Sequence, residues 1–136
     1  MFIIYAILSS IFAALTTILV KIGLYDINSH LATAIRTLVV LGLSWAMVLT
    51  VNAQSEIARL SRRNLVFLAL SGLCTGLSWL FYHKALQLGP VGKVAPIDKL
   101  SLVLTIILAA VFLREPVTPK TVAGMALLTL GVVTLT

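Results

Sequence analysis

The sequence predicts an all-α integral membrane protein, with five transmembrane helices arranged as an up-and-down bundle. Three observations lead there. Of the 136 residues, 60% are hydrophobic and only 10% are charged. The mean hydropathy of +1.13 lies far above the soluble globular range. The apolar residues also fall into successive runs of about 20, the length a helix rising 1.5 Å per residue needs to cross roughly 30 Å of hydrocarbon.

The first run, Phe2 to Val20, has no basic segment ahead of it and no small-residue cleavage site behind it, so it reads as a retained span closed by Lys21. Gly23, Asp26, Asn28 and Ser29 form a polar turn in which Ser29 is the expected N-cap of the next helix. The second run, Leu31 to Val51, carries Arg36 inside it. Residues 52–64 are the most polar stretch, where Ile57 and Leu60 lie between Glu56, Arg59, Arg62 and Arg63 and suggest a short interfacial turn. A third run, Leu65 to Tyr82, closes on Trp79, Tyr82, His83 and Lys84, an aromatic-then-basic membrane boundary, before Gly89-Pro90 breaks the helix. The fourth, Val94 to Leu113, stops at Arg114-Glu115-Pro116, and the fifth runs from near Pro119 to Thr136. The expected spans are therefore about 2–21, 30–51, 64–83, 94–113 and 118–136, within a single membrane domain.

Several function classes drop out. A lone cysteine, Cys74, permits no intrachain disulfide and no cysteine-rich metal site. The net charge of +6 is spread over the ends of apolar runs rather than gathered with aromatics, which argues against nucleic acid as a partner. An enzyme is disfavoured as well. His30 and His83 lack metal-ligand spacing and read as helix-capping or flanking residues, no two acids share a span, and there is no nucleotide-binding glycine loop.

Polar residues recur at helical spacing on three runs. Ser71, Thr75, Ser78 and Tyr82 share one face of the third, Ser10, Ala14, Thr17 and Lys21 one face of the first, and Asp98, Ser101 and Thr105 one face of the fourth. Either these stripes let helices pack closely, as Gly72 and Gly76 also would, or they line a polar path. The fifth run, with Gly124 and Gly131, suits packing or dimerisation better than lining.

Up-and-down connectivity brings the end of the first span, the start of the second, the end of the third and the start of the fourth to one side of the membrane. Arg36, Asp98 and Lys99 then share a depth of about 10 Å, with Lys21, His83 and Lys84 near the same level. Charged groups within spans face the interior, pair, and mark pathways. Asp98 is the one carboxylate inside a span; neighbours on a helix point about 100° apart, so Arg36 or Lys84 is its expected partner in preference to Lys99. Either this acid is half of a structural ion pair or it couples a proton or ion to transport. Pro96 either kinks a helix that began before it or occupies the first position of one starting near Ala95, the preferred placement. Trp79 and Tyr82 are candidate aromatic walls, and the excess of Lys21, Arg36, Lys84, Lys93 and Lys99 over Asp26 and Asp98 favours a zwitterionic or anionic substrate.

Loop cations set the orientation: Arg59, Arg62, Arg63, Arg114 and Lys120 lie on the N-terminal side, against Lys21, Lys84 and Lys93 on the other. Five against three favours a cytoplasmic N-terminus by the positive-inside rule, and so small a bias is compatible with insertion both ways up.

Ala13-Ala14-Leu15-Thr16 followed by Lys21, Leu31 to Thr37, Tyr82 to Leu86, and above all Val94-Ala95-Pro96-Ile97-Asp98-Lys99-Leu100-Ser101 resemble the half-length EamA proteins of the drug/metabolite transporter superfamily. The match covers nearly the whole chain, including the close from Arg114 to Val132. The resemblance implies a five-helix unit equal to half of a ten-helix transporter, four helices lining a path and the fifth peripheral. It also implies a secondary active exporter of small metabolites or drugs in the inner membrane, working by alternating access as an antiparallel homodimer. No cofactor is implied. The four-helix multidrug relatives have a carboxylate in the first span; here Phe2 to Val20 has none, so their coupling does not carry over. The alternative is a non-transporting membrane partner, or a lipid-headgroup flippase subunit that needs a second chain.

Overall fold

In a computed structural model, which describes residues 2–136, every regular element is helical. Helix α1, Phe2–Gly23, runs on apolar residues past Lys21. It ends where Leu24 N–H still reaches the Val20 carbonyl and Asp26 takes a left-handed φ of 62°, turning the chain back. Asn28, rather than the expected Ser29, caps α2 (Ser29–Thr50): its side chain accepts from the His30 N–H at 2.8 Å. Ser29 is instead the first helical residue and is buried. Asn52, also left-handed at φ 55°, ends the second span and starts a 3-10 turn, Ala53–Arg59, the connection that Ile57 and Leu60 suggested.

Helix α3, Arg62–Leu88, is 27 residues long. At 1.5 Å per residue it measures about 40 Å, well over the roughly 30 Å of hydrocarbon. It does not stop at the aromatic-basic boundary but continues for another turn, to the Gly89-Pro90 break, and this puts His83 and Lys84 inside the helix. At its start the Arg63 guanidinium lies over the Phe67 ring, 5.8 Å from its centre, one turn along.

The fourth span, Val91–Leu113, is built from pieces. Helix α4, Val91–Asp98, opens after Pro90, whose carbonyl accepts from Lys93 and Val94. Pro96 therefore lies within a helix that began before it, and the preferred placement at a first helical position is wrong. The physical reason is that Pro90 already supplies a helix start, after which Pro96 has no N–H to offer one turn back. The ladder fails just beyond: Lys99 N–H bonds to the Pro96 carbonyl at 3.0 Å, three residues back instead of four, and α5 (Leu100–Leu108) follows. A π-helical turn, Ala109–Leu113, closes the span on left-handed Arg114. Thr118 then caps α6, Pro119–Leu135, accepting from the Thr121 N–H at 3.2 Å. α4 and α5 both pack on α6.

Four helices are long and apolar enough to cross a membrane, and α6 is a shorter apolar helix, as expected of a five-helix membrane protein. Among the described residues the buried apolar side chains are Leu24, Leu86 and Val132, while most other large apolar residues are exposed. Lipid is as apolar as these side chains, so outward leucines cost nothing there, and van der Waals packing together with polar contacts holds the helices in place. The chain divides into two units, Ile18–Gln87 and the remaining described residues.

Candidate functional site

Polar side chains bind the Ile18–Gln87 unit together, and most of them gather where α2 begins and α3 ends. Thr33 and Arg36 lie three apart on α2, and Trp79 and His83 four apart on α3, so each pair shares a helix face. His83 is 1% exposed and Thr33 6%, in an otherwise outward-facing molecule. Thr33 Oγ1 donates to the Ser29 carbonyl at 2.8 Å and lies 2.6 Å from His83 Nδ1. Arg36 Nη1 lies 3.2 Å from His83 Nε2, and its guanidinium carbon is 4.4 Å from the centre of the Trp79 ring.

The donors and acceptors settle the tautomer. A hydroxyl has one proton, and that of Thr33 goes to Ser29; its oxygen must therefore accept from His83 Nδ1–H. Arginine only donates, so Nε2 is the acceptor. His83 is thus a neutral imidazole protonated at Nδ1, with both ring nitrogens in use. Arg36 spends one donor on it and lays its face on Trp79, and within Ile18–Gln87 no carboxylate lies at ion-pair distance from it.

The α1–α2 corner is latched to the end of α3. Lys21 Nζ donates to the Leu86 carbonyl, one of the last four of α3 that lack an intrahelical partner, and its charge suits the negative end of the helix dipole. Gln87 Nε2 donates to the Ile27 carbonyl at 2.9 Å, and Lys84 donates to Gln87 Oε1 at 3.2 Å. Leu86, fully buried, sits in this corner.

Of the residues singled out from the sequence, Arg36 and Trp79 meet directly, with Tyr82 beside His83 at a ring separation of 6.3 Å. Lys84 belongs to the latch. Ser78 is exposed on α3, while Thr17 and Thr105 each donate to a carbonyl one turn back on their own helices, Ala13 and Ser101. Asp98 pairs with Lys99, at 3.3 Å, the neighbour ranked below Arg36 and Lys84 from the sequence. The three-back bond at Lys99 does not bring neighbours onto one face; the lysine stem is long enough to bring Nζ back to the Asp98 carboxylate. The two side chains are 35% and 55% exposed, a pairing that adds little stability.

His83 and Thr33 were missed. A histidine just past an aromatic boundary looks like a flanking residue; the signal against that was Gly89-Pro90, which leaves five more residues after His83 for the helix to run.

The chain is a multi-pass, all-helical membrane protein with a cationic, aromatic-lined polar cluster between two spans, and its family and relatives make it a membrane transporter in class. The chain belongs to the EamA-like transporter family, whose model matches residues 1–136. It is also 43% identical over 127 residues to a Sinorhizobium sp. protein described as an uncharacterized transporter in the cobO 3' region, covering 93% of this chain and 90% of that protein. No solved structure matches it significantly.

Proposed function

We propose that this chain is a secondary active transporter of the inner membrane that exports small zwitterionic or anionic metabolites by alternating access, as a homodimer of antiparallel subunits. The observation that carries the substrate class is Arg36: a guanidinium inside a span, laid on Trp79 and bonded to a neutral imidazole, with no carboxylate in its unit to neutralise it. A charge in a span is costly unless it is paired, and an anionic group on the substrate supplies the missing partner. Planar guanidinium recognises carboxylate or phosphate through two parallel hydrogen bonds. The half-length resemblance and the small cation bias of the loops support a dimer whose subunits insert both ways up, a single orientation being expected to have its N-terminus in the cytoplasm.

Purified protein in liposomes, counterflowing a panel of amino and organic acids, tests the substrate class. Saturable flux of an acid, abolished in Arg36→Gln, is expected; saturable transport of a lipophilic cation with none of the acids would overturn it. Flux only with a second chain present would make the protein a subunit. Single cysteines in both sets of loops, in a Cys74→Ser background in intact cells, test the dimer: outside labelling of both sets is expected, and of one set alone would sink the antiparallel arrangement.

A further inference from the structure

The Arg36–His83 bond holds only while the imidazole is neutral. Its Nε2 lone pair receives Arg36 Nη1 at 3.2 Å, and its Nδ1–H is already committed to Thr33 Oγ1 at 2.6 Å. A proton added to His83 can go to one place, Nε2. There it sets N–H against N–H and one positive charge against another, where a hydrogen bond had been. Flipping the ring offers no escape, because rotation about Cβ–Cγ puts Cδ2 opposite Thr33 and Cε1 opposite Arg36 and loses both bonds.

From this the geometry points to His83 as the proton-carrying group of the transport cycle: protonation of His83 releases Arg36, and Arg36 takes the anionic group of a substrate only when His83 carries a proton. The inference rests on the anion-transport reading above and supplies its coupling. The anion and proton then bind together, each favouring the other by linkage, and a monoanion crosses with its proton as an electrically neutral pair. Efflux is driven by the metabolite's own gradient and carries protons out with it.

The ionisable groups on the elements around His83 are consistent with this. α1 brings Lys21, committed to the Leu86 carbonyl; the α1–α2 turn brings Asp26; α2 brings His30, at its exposed first turn, and Arg36; α3 itself carries Tyr82 and Lys84, the latter bonded to Gln87. Arg36 alone bonds to the His83 ring among the charged groups, so it is the one that answers when the ring is charged. Trp79 reports the event, because the guanidinium that leaves His83 is also the one lying on the indole.

The experiment uses full-length protein in nanodiscs with Trp45→Phe, which leaves Trp79 as the sole tryptophan. Its fluorescence is followed from about pH 5 to pH 9, first in zwitterionic lipid alone, then with benzoate as a monocarboxylate probe, then with anionic phosphatidylglycerol. A one-proton step is expected, absent in His83→Gln and His83→Asn, present in Asp98→Asn, and moved to higher pH by the anion. Benzoate affinity should rise by up to about tenfold per pH unit on acidification and be independent of pH in His83→Gln. A step moved by phosphatidylglycerol and not by benzoate would keep the switch and make a lipid headgroup the anion. No step, a step that survives both His83 variants, or one that no anion moves would overturn the proposal. Imidazole nitrogen shifts at high pH give a check without substitution: the neutral form protonated at Nδ1 is required, and the Nε2–H tautomer would refute it. Absence of flux in liposomes with the step intact would strike the transport reading and leave the switch standing.

Discussion

Thr33→Val removes one oxygen and almost no volume. Valine matches threonine in shape and closely in helix propensity, so neither a cavity nor a helix penalty enters. What is lost is the hydroxyl that links the Ser29 carbonyl to His83 Nδ1 through contacts of 2.8 and 2.6 Å. The Ser29 carbonyl keeps its place in the helix ladder. His83, at 1% exposure, is left with a donor and no acceptor, and the alternative tautomer would turn an N–H toward Arg36. A buried unsatisfied donor costs about 1–3 kcal/mol in soluble proteins, and interhelical hydrogen bonds in membranes average about 0.6 and reach about 1.7. We expect Thr33→Val to destabilise by about 1–2 kcal/mol, measured by reversible unfolding in mixed micelles. A double-mutant cycle with His83→Ala should give a coupling of about 0.6–1.7 kcal/mol. A variant as stable as the parent, with no coupling, would refute the bridge and with it the tautomer assignment.

Asp98→Asn should leave folding and insertion intact, since the Lys99–Asp98 pair is largely exposed and such pairs are worth about 0–1 kcal/mol; transport is expected to fall sharply, and normal flux in liposomes would remove Asp98 from the pathway. Pro96→Ala restores an N–H within α4 and should stabilise the continuous form of the fourth span, seen as increased amide protection at residues 97–100; unchanged protection would show that the break does not depend on the proline. Gly76→Ala tests what lies against α3. Its open side is a groove of about 570 Å³ lined by Ala69, Gly72, Leu73, Gly76, Leu77 and Leu80, and a Cβ at Gly76 meets nothing within 4 Å. In this chain alone the change should stabilise by up to about 1 kcal/mol through helix propensity, so a measured loss would mean that another helix occupies the groove.

The membrane fold was legible because runs of apolar residues about 20 long have no other economical structure, and Gly89-Pro90 and Arg114-Glu115-Pro116 punctuate them. Arg36 and Trp79 were legible as well, one as a charge in a span and the other as an aromatic near its end. Their union was not. It depends on α3 continuing to Leu88, which turns His83 from a boundary residue into the centre of a buried network. Asp98 shows the reverse: helical spacing sets its carboxylate and the Lys99 stem on different faces, and the length of the lysine chain spans the difference. The reach of a flexible side chain is a part of a fold that a periodic pattern does not encode.

The excess length of α3 has a bearing on where this protein works. A helix of about 40 Å in a core of roughly 30 Å must tilt or let its last turn stand among the headgroups, and that last turn holds the Leu86 and Gln87 latch. In a thin membrane the latch meets water, which competes for the Leu86 and Ile27 carbonyls. In a thicker one it is drawn into hydrocarbon, where nothing else can satisfy them. Bilayer thickness thereby becomes a term in the stability of the corner next to His83, and the same chain would be held more firmly in one membrane than in another.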